Sequence, residues 1–254
     1  MSQKQPRNIR IFAVADIISR GCTMLNYQTA EKLSAMKLQT MAKEYMRQLE
    51  TPAMDSLSFE ERIGMMVDAE WHDRDSKRIN RLIKNANMSQ SSAMFADIDY
   101  RPVRKLDRAY IARLSDFAWV KDGKNIILTG CTGTGKTWLA CAFGREACQK
   151  GLRVAFYRLN RLLNEITQAA ANDNLLKRLT QLKKVNILIL DDWGLAGLSP
   201  IEGRFLVEIF EDRYVNHLST IISSQIPVLQ WHDSLKTFCA WRRTKSKDML
   251  EKHR

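Results

Sequence analysis

The chain has 254 residues, of which 45% are hydrophobic and 27% charged, the make-up of a soluble globular protein with one large core and room for a smaller domain. A formal net charge of +12 and a pI near 9.6 point to a polyanionic partner, nucleic acid above all, with a merely soluble basic surface as the competing reading. Cys22, Cys131, Cys141, Cys148 and Cys239 form no C-x-x-C pair and have no histidine at metal spacing, so neither a zinc site nor a disulfide framework is indicated, which fits a reducing cytoplasm.

Near the start, "IRIFAVADII" is too short and too interrupted by charge to span a bilayer, so no membrane segment is expected. From Gln28 to Leu49 the apolar positions Leu33, Leu38, Met41, Ala42, Tyr45, Met46 and Leu49 recur at three- and four-residue steps, which predicts one amphipathic helix ended by Pro52. Ser58 and Glu61 form a capping box that starts a second helix, with Phe59, Ile63, Met66, Val67, Trp71, Ile79 and Leu82 on its apolar side and a basic far half, "RDSKRINRLIK". The polar segment "NANMSQSSAM", residues 85–94, reads as the joint between this helical N-terminal domain and a second domain. A second basic run, "RPVRKLDRAYIAR", leads into that second domain.

There the pattern changes to short continuous apolar runs, "NIILT" (125–129), "RVAFYRL" (153–159), "NILIL" (186–190) and "STIIS" (219–223), separated by helical stretches. Buried strands alternating with helices predict an α/β fold with a parallel sheet covered on both faces. Between the last two strands, Ser199, Pro200 and Glu202 mark a helix start, as cap, first helical residue and reciprocal partner.

Between the first strand and the helix after it lies "GCTGTGKT", which satisfies G-x-x-x-x-G-K-[ST] in the strand-to-helix setting the motif requires. Gly130, Cys131, Thr132, Gly133, Thr134, Gly135, Lys136 and Thr137 form the expected phosphate loop. Its glycines let successive N–H groups wrap an anion, and the following helix brings its positive end to the same place. Lys136 is suited to the β- and γ-phosphates and Thr137 to a Mg²⁺ ion through its hydroxyl. The third strand ends in Asp191 and Asp192, where carboxylates face the ligand crevice of an open parallel sheet. Asp191 is expected on the magnesium and Asp192 on the attacking water, with an exposed turn acid as the competing reading for each. Ser223, Ser224 and Gln225 close the fourth strand and are candidates to bond the γ-phosphate or its water, with a plain turn as the alternative. Cys131 reads as an ordinary loop residue, and Trp71, Trp119, Trp138 and Trp193 as packing residues.

Taken together, "GCTGTGKTWLACAFG", "LILDDWGL", "EDRYVNHLSTIISSQIPVLQWHD" and "MLNYQTAEKLSAMKL…SFEERIGMMVDAEW" resemble the IstB-like ATP-binding proteins of insertion sequences, relatives of the DnaC-like helicase loaders within the AAA+ group. The resemblance covers roughly residues 24–234. It implies a P-loop AAA+ core over residues 93–235 after a helical N-terminal domain over residues 24–92, with ATP and Mg²⁺ as cofactors. It also implies an oligomer on double-stranded DNA that assists a separate transposase. On this resemblance Gly130, Gly135, Lys136 and Thr137 match Walker A, Asp191 and Asp192 match Walker B, and Ser224 or Gln225 falls near the sensor-1 position. Arg161, Lys177, Arg178, Lys183 and Lys184 lie where initiator-type relatives insert a helix that approaches DNA; a basic helical segment suits phosphate contact and equally suits a solvated face.

Both ends depart from the family pattern. Residues 1–23 are an extension, consistent with a translation start at Met24. The basic tail 236–254 stands where the family carries an arginine that reaches a neighbour's ATP and then a fifth strand, so a sheet without that strand and a P-loop strand at an open edge are expected. Without an arginine supplied in trans, hydrolysis loses a stabiliser worth on the order of 10³-fold in rate, so fast turnover is not expected, whereas ATP binding can survive the loss. Arg204, Arg213, Arg242 and Arg243 are candidate substitutes. A helicase loader and a remnant that binds nucleotide or DNA without turnover remain as alternative functions; a P-loop small-molecule kinase is disfavoured because no Arg-bearing lid is recognisable.

Overall fold

A computed structural model describes residues 25–231 apart from Lys105 and Ala196. The extension 1–23, a start at Met24, Cys22, Cys239 and the tail 236–254 with Arg242 and Arg243 therefore lie outside the described residues. The chain divides into two compact units, Met1–Lys77 and Arg78–Arg254.

In the first unit, α1 (residues 25–35) and α2 (Gln39–Glu50) replace the single helix expected from the apolar spacing. The break has a local cause. Lys37 adopts a left-handed conformation (φ 62°), Leu38 N–H reaches back to Leu33 O at 2.9 Å and Lys37 N–H to Ser34 O at 2.9 Å, which is a Schellman ending with lysine where glycine is usual. The restart is held from a third helix, α3 (Phe59–Ala86), whose Glu70 carboxylate accepts the N–H groups of Thr40 (2.9 Å) and Met41 (3.1 Å). Glu70 is buried, and Arg74 bonds both its carboxylate and Lys37 O. The predicted capping box is present, with Ser58 N–H on Glu61 and Glu61 N–H on the Ser58 hydroxyl. The apolar side read for α3 needs correction: Met66 is buried, whereas Phe59, Val67 and Trp71 are exposed, Trp71 at 69%, because the inward face of this helix is given to Met66 and the Glu70 cap.

The second unit is the α/β fold expected. Its strands β1 (Ile126–Thr129), β2 (Val154–Arg158), β3 (Ile187–Trp193) and β4 (Ser219–Ser224) form one parallel sheet in the order β1-β4-β3-β2, so among the described residues β1 is an edge strand. Short helices α4 (Arg108–Leu114) and α5 (Ala118–Lys121) precede β1. One sheet face, with Ile187, Ile189 and Ile221, packs on α6 (Lys136–Gln149). The opposite face, with Leu188, Leu190 and Ile222, packs on α7 (Leu159–Ala171), α8 (Leu175–Lys183) and α9 (Pro200–Val215). The capping box at Ser199 and Glu202 starts α9 as expected.

The segment 85–94 is docked rather than free. Ala86, Met88 and Ala93 are buried in the α6-side core, and a Cβ at Gly144 of α6 would lie 2.8 Å from both Met88 Sδ and Ile189 Cδ1, so only glycine allows that approach. At the opposite end of the strands from the phosphate loop, the buried Arg213 of α9 donates to the carbonyls of Leu182, Val185, Asn186 and Ser219 and to the Thr220 hydroxyl, fastening α8 to the starts of β3 and β4.

Candidate functional site

The phosphate loop closes on itself around one carbonyl. Cys131 O accepts the Thr134 hydroxyl at 2.9 Å and the Lys136 ammonium at 2.8 Å. Gly135 caps α6 in a left-handed conformation (φ 86°), which costs a residue with a Cβ about 1 kcal/mol or more. Lys136 and Thr137 thus open the helix whose unpaired N–H groups and positive end meet the loop. Cys131 is exposed, as an ordinary loop residue would be.

Strand alternation brings the partner carboxylate. Asp191 shares the α6 side of β3 with Ile187 and Ile189, is buried, and receives the Thr137 hydroxyl at 3.0 and 2.9 Å on its two oxygens. Between the Leu190–Ile222 and Trp193–Ser224 pairs, β3 carries one residue more than β4, and Asp192 stands in the left-handed region (φ 60°). This bulge reverses the alternation. Regular pleating would send Asp192 into the apolar face beside Leu190; instead Trp193 fills that face and Asp192 turns to the site, half-buried and 3.6 Å from the Arg158 guanidinium. Trp119 and Trp193 are packing residues as expected, and Trp138 both packs against the α6-side core and lines the site.

A cavity of about 350 Å³ adjoins the loop, lined by Thr132, Gly133, Gly135, Lys136, Thr137 and Trp138 together with Gln90, Asp192, Ser223 and Gln225. Gln225 is tied to the loop by the Thr132 hydroxyl at 2.5 Å. Ser224 needs correction as a site residue. Its hydroxyl is buried on the opposite sheet face, accepting from Ile226 N–H (3.0 Å) with its single proton shared between Trp193 O (2.9 Å) and Ile226 O (3.0 Å), so it fastens the ends of β3 and β4. The parity of Ile221 and Ser223 is the signal that distinguishes the two serines. Gln90 and Arg158 are brought to the site by packing and have no spacing signal in the sequence, whereas Trp138 comes with the motif as the residue after Thr137.

The donor set suits a hard cation. A hydroxyl and a carboxylate face each other beside the loop, all oxygen, which is the chemistry magnesium prefers.

Of the five basic residues between the second and third strands, Arg178 is the most internal, bonded to Tyr157 and Glu165 and stacked over the Tyr157 ring. Arg161 pairs with Glu165 at 3.3 Å and Lys183 with Asp212 at 2.9 Å. Lys177 and Lys184 are exposed and make no ion pair among the described residues. Arg204 is exposed on α9, whereas Arg213 is spent inside the core and cannot reach a neighbouring subunit.

No helix among the described residues is long and apolar enough to cross a membrane. The family profile described as IstB-like ATP binding protein matches residues 31–239. A protein of Pseudomonas fluorescens named for ATP binding in insertion sequence IS1162 is 42% identical over 204 residues, covering 80% of this chain and 88% of that one. The protein y4pL of Sinorhizobium fredii (strain NBRC 101917 / NGR234), likewise named for ATP binding in an insertion sequence, is 36% identical over 210 residues, covering 83% and 85%. Among solved structures, that of DnaI is 22% identical with a TM-score of 0.49, covering 68% of this chain and 87% of that one.

Proposed function

Since the chain belongs to the IstB-like ATP-binding protein family, we propose that it is the ATP-dependent, DNA-binding helper of insertion-sequence transposition, which uses nucleotide to control its assembly on double-stranded DNA and assists a separate transposase. The observation that carries the nucleotide half is the Thr137 hydroxyl set against the buried Asp191 carboxylate beneath an intact phosphate loop.

In this reading the loop from Gly130 to Thr137 binds the phosphates, and Lys136 exchanges the Cys131 carbonyl for a phosphate oxygen as its partner. Thr137 and Asp191 would hold Mg²⁺, whose charge, when bound, offsets that of the phosphates. Asp192 and Gln225 line the same cavity and are suited to orient a water. Arg158 holds the Asp192 carboxylate toward the second strand.

The DNA half rests on the +12 charge and on the exposed Lys177 and Lys184, with Lys183 and Arg161 at the rim of the same two helices. Arg178 supports that surface through its contacts with Tyr157 and Glu165.

The test is binding to a double-stranded DNA probe with ATP, with ADP and with no nucleotide, over a salt series. Binding that needs ATP and weakens steeply with salt supports the reading. Binding indifferent to nucleotide contradicts it.

A further inference from the structure

The phosphate-loop motif gives no role to Arg104, and the structure assigns it one: Arg104 is a second cation of the nucleotide site, contacting the phosphate chain from the segment that precedes the loop. The inference deepens the nucleotide reading above and rests on it.

The residues Pro102–Arg104 form a single 3-10 turn, closed by Arg104 N–H on Arg101 O at 2.9 Å. From this turn the guanidinium reaches the last glycine of the loop. A Cβ added at Gly135 would meet Arg104 Nη1 at 3.5 Å. Arg104 is therefore at the N-terminal end of α6, beside the residue that precedes Lys136.

Electrostatics makes this position informative. A cation beside a helix N-terminus opposes the helix dipole, and Lys136 adds a further positive charge at the same end. The nearby carboxylate is divided. Arg104 Nε forms an ion pair with Asp99 at 3.1 Å, yet the same carboxylate also binds Arg101 at 2.7 to 3.0 Å, so two guanidiniums share one negative charge. The Arg101 side chain and backbone N–H hold the Asp99 carboxyl down at about 2, which keeps this anchor ionised.

With Nε paired to Asp99, Nη1 is left beside the last glycine of the loop, and the terminal nitrogens have no hydrogen-bond acceptor among the described residues. Converging positive groups with too few anions are the complement of a polyphosphate, which a guanidinium fork binds with directed hydrogen bonds. Asp99 is the positioning residue in this arrangement.

The experiment is a titration of the full chain with ATP, ADP and AMP at fixed magnesium, for the wild type and for Arg104→Gln, Arg104→Lys and Lys136→Ala, each checked for unchanged helix content and melting temperature. The expected result is that Arg104→Gln weakens ATP on the order of tenfold, ADP less and AMP least, and that Arg104→Lys recovers most of the loss. The gradation with phosphate number is what a merely structural role would not produce. Unchanged ATP affinity in Arg104→Gln, with Lys136→Ala abolishing binding, overturns the inference and leaves the nucleotide reading intact; so does an equal loss for all three nucleotides. Absence of ATP binding by the wild type overturns the nucleotide reading itself.

Discussion

The Thr137 hydroxyl lies 3.0 and 2.9 Å from the two oxygens of Asp191, joining the first turn of the loop helix to the end of the third strand. Two segments far apart in the chain thus supply one oxygen pair, and the loop, the bulged strand end and Gln225 are arranged around it.

Asp191→Asn should remove the magnesium-dependent part of nucleotide affinity. In titrations with ATP, the variant in magnesium is expected to bind about as the wild type does in EDTA, a loss on the order of tenfold. A variant that keeps full magnesium dependence would place the cation elsewhere.

Ser224→Ala and Gln225→Ala should separate fold from site. Loss of the Ser224 hydroxyl strands the Ile226 N–H and should cost about 1–3 kcal/mol in urea unfolding while nucleotide affinity holds. Gln225→Ala should leave stability within about 0.5 kcal/mol and change nucleotide binding or turnover instead.

Arg213→Met should be among the most damaging single changes in the second unit. The variant leaves four carbonyl oxygens and the Thr220 hydroxyl without their buried donor, and a loss of about 3 kcal/mol or more is expected in denaturant unfolding. A loss under about 1 kcal/mol would mean that water replaces the guanidinium.

Glu70→Gln should give a pH-dependent loss in the first unit. Burial pushes the Glu70 carboxyl up, but Arg74 and the N–H groups of Met41 and Thr40 together hold it below the usual value. A depressed carboxyl contributes stability that is full above the unfolded pKa and lost as pH falls through the folded one. The gap between wild type and variant should be about 1 kcal/mol at pH 7 and close below about pH 4. A gap constant over that range would show that the charge does not cap α2.

Much of the second unit was legible because its signals are local. Continuous apolar runs marked all four strands, and Ser199 with Glu202 marked a helix start that needs no tertiary help. Walker A was legible for the same reason. What escaped depends on packing: the left-handed Lys37 divides a seamless apolar period, and the cap that fixes the restart comes from Glu70 on another helix. Likewise the bulge at Asp192 changes which side chains face the site, while apolar and polar residues around it read as simple alternation. Arg104 sits in a basic run that reads as charge alone, and only the fold brings it beside Gly135.

The most direct measurement is the affinity of the full chain for ATP with magnesium, wild type against Lys136→Ala, by equilibrium titration. A working phosphate loop predicts saturable binding by the wild type and a loss on the order of tenfold or more in the variant, because the Lys136 ammonium that bonds the Cys131 carbonyl is the group meant for the phosphates. Equal affinity in the two proteins would contradict it.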